Sequence, residues 1–172
     1  MRLELPHCTV RRWLPSDLDA LVKHANNHNV SRHLRDRFPF PYAIDHARNF
    51  LDWICPQAAP TVWAIEVDGE AAGGIGVELH NDVERVSIEV GYWLGETAWG
   101  RGIMTEALQA VTAECFKRFD ITRVYALPFA DNRASVRVLE RAGYTLEGHL
   151  RQSAIKDGTI RDQLLYAAYK PL

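Results

Sequence analysis

The stretch from Tyr92 to Leu108, YWLGETAWGRGIMTEAL, constrains the fold of this chain more than any other. An apolar run at 86–94 predicts a strand, and glycines punctuate the turn that follows it at 95–102. A helical pattern starts around Ile103 directly after the turn. The chain is therefore expected to carry a strand that passes through a glycine-rich turn into the first turn of a helix.

A helix that begins directly after such a turn is suited to bind an anion. Its first backbone N–H groups have no partner within the helix, and the helix dipole favours negative charge there. Gly100 and Gly102 place no Cβ atoms on the turn, so a phosphate can approach the backbone closely. We therefore predict a ligand that carries a phosphate. The alternative is a turn whose glycines serve only its sharp geometry.

The composition is typical of a soluble globular protein that fits one domain, 1–172. Apolar residues make up 47% and charged residues 24% of the chain, which is ordinary for that class. The formal net charge of -2 gives no long-range attraction to nucleic acid or membrane, so we expect neither partner. Cys8, Cys55 and Cys115 form no pair or metal pattern, and no apolar run could span a membrane. A cytoplasmic location is expected, and the sequence leaves a homodimer open.

The order of the periodic segments predicts a mixed α/β (α+β) fold in which helices flank one sheet. Three strands between 62 and 94 follow one another through short turns, which favours antiparallel neighbours. The strand at 121–127 lies beyond the helix that follows 84–94, so these two strands form a crossover and should be parallel neighbours. The segments 144–155 and 159–169 should close the sheet as a hairpin.

Polar residues and a glycine predict where the helices begin and end. Ser16 and Asp45 are candidate N-caps of the first and third helices. Asn132 or Asp131 should cap the last helix, and Gly143 should end it as the C′ residue.

Two common phosphate-binding signatures do not fit the glycine turn. As a dinucleotide fingerprint, GRGIMT lacks the third glycine and an acidic residue at the expected distance. As a P-loop, it lacks the Gly-Lys-Ser/Thr ending.

Two segments resemble the GNAT superfamily of N-acyltransferases. WLGETAWGRGIMTEAL is similar to the acyl-CoA-binding turn of that family, Gln/Arg-x-x-Gly-x-Gly/Ala. Trp99 stands where Gln or Arg is usual, and Met104 replaces a small residue, but Gly-x-Gly-Ile-Met is typical of the Rim-type branch, which acetylates protein N-termini. FADNRASVRVLERAGYTLEGHLR resembles the Asn-x-x-Ser helix of that branch and the Leu-Glu-x-x-Gly-Phe/Tyr after it. With IEVGYWL, the resemblance covers 63–169.

The resemblance implies a GNAT-like sheet in which the central parallel strands splay apart beside acetyl-CoA. It implies that backbone amides of 100–105 hold the CoA pyrophosphate and that Trp93 and Leu94 pair by backbone with the pantetheine arm. Asn132 would hydrogen-bond the pantetheine or the acceptor. The implied cofactor-binding residues are Trp93, Leu94, Trp99, Gly100, Arg101, Gly102, Ile103, Met104, Thr105, Asn132 and Arg137.

Glu89 and Ser135 are the candidate catalytic residues. The resemblance implies that Ser135 lies near the thioester sulfur and protonates the leaving thiolate, and its place one turn after Asn132 on the same helix face supports this. Many members of the family carry a tyrosine acid where this chain has Leu139, so the acid is Ser135 or water. Glu89 lies on a strand expected to be central, where an unpaired carboxylate is costly, and the amine needs a base. The alternatives are a solvated strand face for Glu89 and a simple N-cap for Asn132.

The aromatic loop at 38–42 and the arginines near the glycine turn and on the last helix each allow two interpretations. Phe38, Phe40 and Tyr42 of FPFPY form either a wall of the acceptor pocket or an apolar loop packed on the core. Arg101 and Arg137, the latter within a stripe of arginines on the last helix, either attract the 3′-phosphate of CoA or lie on a solvated face. The histidines show no metal-ligand spacing, so no metal is expected.

The sequence thus predicts an acetyl-CoA-dependent N-acetyltransferase that moves an acetyl group directly to a primary amine. The Rim-type resemblance suggests a protein N-terminus as the acceptor. A polyamine, an amino acid or an aminated antibiotic is the alternative acceptor. The competing classes are a non-catalytic acyl-CoA sensor and a nucleotide-binding oxidoreductase.

Overall fold

The computed structural model of the protein describes residues 1–171. The helices there are α1 (Leu18–Ala25), α2 (His28–Ser31), α3 (Ile44–Ile54), α4 (Ile103–Arg118) and α5 (Arg133–Arg141). The strands are β1 (Leu3–Glu4), β2 (Thr9–Arg11), β3 (Val62–Val67), β4 (Glu70–Leu79), β5 (Ser87–Leu94), β6 (Arg123–Ala126), β7 (Thr145–Lys156) and β8 (Thr159–Tyr169).

The strands of residues 1–171 form one eight-stranded sheet in the order β1-β2-β3-β4-β5-β6-β8-β7. β5 and β6 are parallel, as expected for strands joined through α4. The pairs β1–β2, β2–β3, β3–β4, β6–β8 and β7–β8 are antiparallel. The predicted mixed, mostly antiparallel sheet with a central parallel pair is therefore confirmed.

Contacts within the described chain define two compact units. One contains 1–76 and 92–103, and the other contains 77–91 and the segment from Met104 onward. The first unit has a core in which α1, α3 and β3 contribute Leu21, Leu51 and Ala64 beside Trp13. None of the helices that the structure describes combines the length and apolar content needed to cross a membrane.

A buried ion pair fixes the start of α1. Arg11 on β2 donates from both terminal nitrogens to the carboxylate of Asp17, each at 2.8 Å, and its Nε donates to Glu66. Arg11 and Asp17 are only 7% and 6% exposed. The hydrogen bond to Asp17, with that to Glu66, raises the pKa of Arg11 against the effect of burial. Asp17 also accepts from the backbone N–H of Leu14 at 2.9 Å.

The two predicted N-caps in the first unit are wrong. A 3-10 turn at Pro15–Asp17 precedes α1, so Asp17 stands at the position predicted for Ser16. α3 begins at Ile44, one residue before Asp45, after an extended Ala43. The Arg11 pair fixes the start of α1, whereas at α3 the N–H of Ala43 donates to Nδ1 of His46, three residues further along the chain, at 3.0 Å.

The predicted boundaries in the second unit hold at α5 and the hairpin. Asn132 caps α5 by accepting from the N–H of Ser135 at 3.1 Å. Gly143 has φ 90°, and the N–H of Tyr144 donates to the Leu139 carbonyl at 3.0 Å, which completes the expected glycine C-cap. The hairpin β7–β8 turns at 157–158 with both residues at positive φ.

The expected strand over 84–94 starts later than predicted. Residues Asp82–Val86 form a 3-10 turn, and β5 begins only at Ser87. Val83 and Val86 are 71% and 42% exposed. Apolar residues therefore precede the buried strand β5 in the sequence without belonging to it.

Substituting Asp17→Ala should lower the free energy of unfolding by about 3 kcal/mol, because it leaves the buried Arg11 only partly compensated. Asp45→Ala is the matched control, since the Asp45–Arg48 pair is exposed, and it should change stability by less than about 0.5 kcal/mol. Urea unfolding followed by circular dichroism gives both values. Equal effects would mean that the Arg11 pair does not hold α1.

Candidate active site

The glycine turn between β5 and α4 adopts a conformation that favours glycine at two positions. Gly100 has φ 76° and Gly102 has φ 78°, both in the left-handed region. A Cβ placed on either glycine would have no other atom within 4 Å. The turn therefore combines a glycine-dependent backbone with open space above it, and α4 begins at the next residue, Ile103.

Contacts within the first unit anchor the turn at its start. The N–H of Gly95 donates to the Ala72 carbonyl at 2.7 Å. The indole Nε1 of Trp99 donates to the Leu94 carbonyl, also at 2.7 Å, while the Trp99 side chain stays largely exposed. Trp99, which departs from the family pattern, thus has a structural role: it closes the turn back onto the end of β5.

Side chains of the α1–α2 segment hold the 3-10 turn that follows β5. Asn27 donates to Glu96 at 2.6 Å, and Asn29 donates to the same carboxylate at 3.1 and 3.2 Å. These hydrogen bonds lower the pKa of Glu96. The His24 ring lies so close to Gly95 that a Cβ there would meet its Nδ1 at 2.7 Å.

Arg101, one of the candidate phosphate ligands, pairs with a carboxylate of the same unit. Its Nη1 lies 2.8 Å from Oδ2 of Asp68, in the turn between β3 and β4. Both side chains are exposed, and the hydrogen bond from Arg101 lowers the pKa of Asp68. The sequence identified Asp68 only as a turn residue. Its partner is 33 residues away, so no local signal could have indicated the pair.

The aromatic loop at 38–42 contacts the end of β5. The ring of Phe38 lies 5.3 Å from that of Trp93 and 5.0 Å from that of Tyr42. Tyr42 is buried, which raises its pKa to about 12, whereas Phe40 is 49% exposed. Tyr42 therefore packs on the core, as one interpretation of the loop expects, whereas Phe40 remains accessible, as the other requires. The Phe40–Pro41 peptide bond is cis.

Two glycines of β4 allow the backbone of β5 to approach closely. A Cβ on Gly73 would stand 2.6 Å from the Trp93 carbonyl oxygen and 3.2 Å from Cα of Leu94. One on Gly74 would stand 2.8 Å from the indole nitrogen of Trp93. The candidate pantetheine-binding residues Trp93 and Leu94 are therefore positioned by a part of β4 that leaves no room for side chains.

Glu89 lies where β5 and β6 stop pairing. Register partners run from Ser87 with Arg123 to Glu89 with Tyr125, whereas β5 continues to Leu94. Glu89 is half-buried, and its neighbours along the strand, Ile88 and Val90, are fully buried, as the predicted alternation requires. The parallel pairing of β5 with β6 therefore ends at Glu89 and Tyr125.

Asn132 and Ser135 lie in the first turn of α5, joined by the capping bond described above. The loop before them is also fixed: Asp131 pairs with Arg161 of β8, whose guanidinium stacks over the Phe129 ring at 4.1 Å. Arg137 is exposed on α5 and available to solvent. Ser135 is therefore held in a defined place at a helix start.

The structure thus groups the predicted residues by unit. The first unit contains Phe38, Phe40, Tyr42, Trp93, Leu94, Trp99, Gly100, Arg101, Gly102 and Ile103, and the second contains Glu89, Met104, Thr105, Asn132, Ser135 and Arg137. Within 1–171, no cluster of three or more His, Cys, Asp or Glu side chains could hold a metal ion.

A histidine–tyrosine pair beside Glu89 was missed by sequence analysis. Nε2 of His80 and the hydroxyl of Tyr125 are 2.8 Å apart, and the two rings are nearly parallel. The sequence offered His80 only as one of several surface histidines. Since 45 residues separate the partners, only the folded sheet brings them together.

Comparisons with known proteins agree with this geometry. The family model described as "Acetyltransferase (GNAT) domain" matches residues 7–145. The protein named "Uncharacterized N-acetyltransferase YoaA" of Bacillus subtilis (strain 168) is 28% identical over 173 residues, covering 98% of this chain and 97% of that protein. The ribosomal-protein-serine acetyltransferase of Escherichia coli (strain K12) is 36% identical over 95 residues, covering 54% of this chain and 53% of that protein.

A solved structure shows the same fold over nearly the whole chain. The RimL ribosomal-protein alpha-N-acetyltransferase, in complex with coenzyme A, aligns with a TM-score of 0.84 at 24% identity. The alignment covers 98% of each chain.

Substituting Gly73→Ala should lower the free energy of unfolding by about 2 kcal/mol, because the new Cβ would collide with the β5 backbone. Gly91→Ala is the matched control, since a Cβ there meets nothing within 4 Å, and its effect should stay within about 0.5 kcal/mol. Thermal unfolding of both variants measures the difference. Equal stabilities would show that β4 can withdraw from β5 at no cost.

Proposed function

The chain belongs to the GNAT acetyltransferase family, and from this we propose that residues 1–172 act as one domain that binds acetyl-CoA at the glycine turn. The acetyl group would pass directly to a primary amine, without an acyl-enzyme. The observation that carries this proposal is the turn itself: two left-handed glycines, open space above them and the start of α4 at Ile103.

The backbone amides of 100–105 are the proposed ligands of the CoA pyrophosphate. A helix start presents N–H groups without helical partners and a favourable dipole, so two linked phosphates match its charge. Thr105 would add a hydroxyl. Trp93 and Leu94 would pair with the pantetheine arm beyond the point where β5 and β6 stop pairing. Arg101 or Arg137 would meet the 3′-phosphate, and Asn132 the pantetheine or the acceptor.

The proposed chemistry removes two protons from the ammonium nitrogen, one before and one after attack, and delivers one proton to sulfur. Glu89 accepts the amine proton, directly or through a water, so that the nitrogen lone pair can attack the thioester carbonyl. A backbone N–H near 90–92 stabilises the developing oxyanion. As the carbon–sulfur bond breaks, Ser135 gives its hydroxyl proton to the thiolate and is reprotonated, through solvent, by the second proton that the nitrogen loses as the amide forms. The capping bond between Asn132 and the Ser135 N–H supports a fixed position for this hydroxyl.

A protein N-terminus is the proposed acceptor. The Gly-x-Gly-Ile-Met turn is typical of the Rim-type branch, and the E. coli relative is named a ribosomal-protein-serine acetyltransferase. The exposed Phe40 offers an apolar surface to the first side chains of a peptide. The loop at 38–42 and the hairpin segment at 152–161 would select the acceptor. Polyamines, amino acids and aminated antibiotics are the small-molecule alternatives.

Thiol release from acetyl-CoA tests the proposal directly. A panel of peptides with serine or alanine N-termini, set against small amines, should show turnover with the peptides. Tight CoA binding without turnover on any acceptor would instead identify an acyl-CoA sensor. Protection from thermal unfolding by NAD(P) but not by CoA would overturn the proposal in favour of an oxidoreductase.

Substituting Glu89→Gln should lower kcat/KM at neutral pH by about 10²-fold, because the amide cannot accept the amine proton. Affinity for CoA should be unchanged in calorimetric titration. Glu84→Gln, on the exposed 3-10 turn before β5, is the control and should match wild type. If Glu89→Gln has wild-type kinetics, solvent is the base.

Substituting Ser135→Ala should lower kcat by about tenfold and leave the KM for acetyl-CoA unchanged, because it removes the proton donor to sulfur but not the cap. The exposed Ser16→Ala serves as the control. Steady-state kinetics with a good peptide acceptor measures the split. A silent Ser135→Ala would assign protonation of the thiolate to water.

A further inference from the structure

The His80–Tyr125 pair spans the strand that carries Glu89. β4 and β6 flank β5 in the sheet, so residues on them lie about 10 Å apart, two strand spacings. His80 directly follows β4, and Tyr125 belongs to β6. Their 2.8 Å hydrogen bond therefore has to pass over one face of β5.

The register identifies which part of β5 the pair crosses. Tyr125 is the partner of Glu89, so both side chains project from the same face of the sheet. His80 directly follows the last residue of β4, Leu79, on the other side of β5. The Tyr125 side chain therefore leaves the sheet next to that of Glu89, on the face where its hydroxyl meets His80.

Neighbouring side chains hold the His80–Tyr125 pair in place, and the pair extends from Glu89 toward solvent. The Arg123 guanidinium lies 4.7 Å from the centroid of the Tyr125 ring, and Glu147 fixes Arg123 by an ion pair. Glu89, Tyr125 and His80 are half-buried, whereas the residues after His80, at 81–86, are exposed. A path therefore runs from the half-buried Glu89 through Tyr125 to His80, which adjoins the exposed segment 81–86.

We propose that Tyr125 and His80 form a proton relay that returns Glu89 to its ionised state after each turnover, an inference that rests on the proposed function. Glu89 gives the amine proton to the Tyr125 oxygen, directly or through a water, as the Tyr125 hydroxyl proton passes to Nε2 of His80. The imidazolium then loses its Nδ1 proton to solvent, and proton exchange with solvent returns the neutral ring to the Nδ1–H tautomer before the next turnover. No oxidant or further reactant is needed. Tyr125 and His80 act through Glu89 and are positioning residues.

The relay requires one tautomer of neutral His80. Nε2 has to accept from the Tyr125 hydroxyl, so the ring proton must lie on Nδ1. Heteronuclear NMR of the imidazole nitrogens in the full chain, without any ligand, distinguishes the tautomers. An unprotonated Nε2 that loses its hydrogen bond in Tyr125→Phe supports the relay. A proton on Nε2 means that His80 donates to Tyr125, which overturns the relay whichever acceptor the enzyme uses.

Kinetics gives the second test. His80→Phe and Tyr125→Phe keep both rings but break the relay, and each should lower kcat by about tenfold at low buffer concentration. Added imidazole should restore the rate of His80→Phe and leave wild type unchanged. Tyr144→Phe is the control, because it removes a hydroxyl bonded at 2.6 Å to Thr112, away from β5. It should show neither effect.

The outcomes separate the two proposals. Wild-type turnover together with unchanged rates in His80→Phe, or a loss that imidazole does not rescue, overturns the relay and leaves the proposed function intact. Absence of turnover with every peptide and amine overturns the proposed function, and the relay with it.

Discussion

The close backbone contact between β4 and the end of β5 is the constraint on which the candidate site depends. It requires glycine at position 73, because any side chain there would occupy the place of the Trp93 carbonyl oxygen. The bond from Gly95 to Ala72 continues the same contact into the turn. β5 therefore ends in a fixed position. That position in turn fixes Trp93, the hydrogen bond from the Trp99 indole to Leu94, and the two left-handed glycines. The strength of this arrangement lies in the backbone, not in side-chain ion pairs.

Local signals were sufficient for much of the fold. α5 begins and ends where predicted because Asn132 and Gly143 act on the backbone within one turn of themselves. The parallel pair followed from connectivity alone, since two strands joined by a helix are constrained in handedness. The glycine turn was recognisable because Gly100 and Gly102, two residues apart, directly precede a helical pattern. In each case, the energy that determines the structure comes from residues close together in the chain.

Predictions failed where tertiary contacts decide the local structure. Ser16 has a side chain suited to an N-cap, but the buried Arg11 requires a carboxylate, and Asp17 supplies it. His80 and Tyr125 carry no signal of each other, because their contact exists only once β4, β5 and β6 are assembled. Such pairings depend on strand order, which periodicity does not encode. The sequence therefore predicted the backbone elements of the candidate site better than the ion pairs and hydrogen bonds around it.

At the glycine turn, the Asp68 carboxylate and any bound anion would compete for the Arg101 guanidinium. Both side chains are exposed, so the pair adds little to stability and can exchange partners readily. A weakly bound monovalent ion must still displace a carboxylate that the same chain holds at 2.8 Å. A ligand with several linked phosphates brings enough charge to do so, and it then finds the guanidinium already in place. In the proposed complex with CoA, Asp68 would therefore act as an intramolecular competitor that favours polyanions over the simple salts of the surrounding solution.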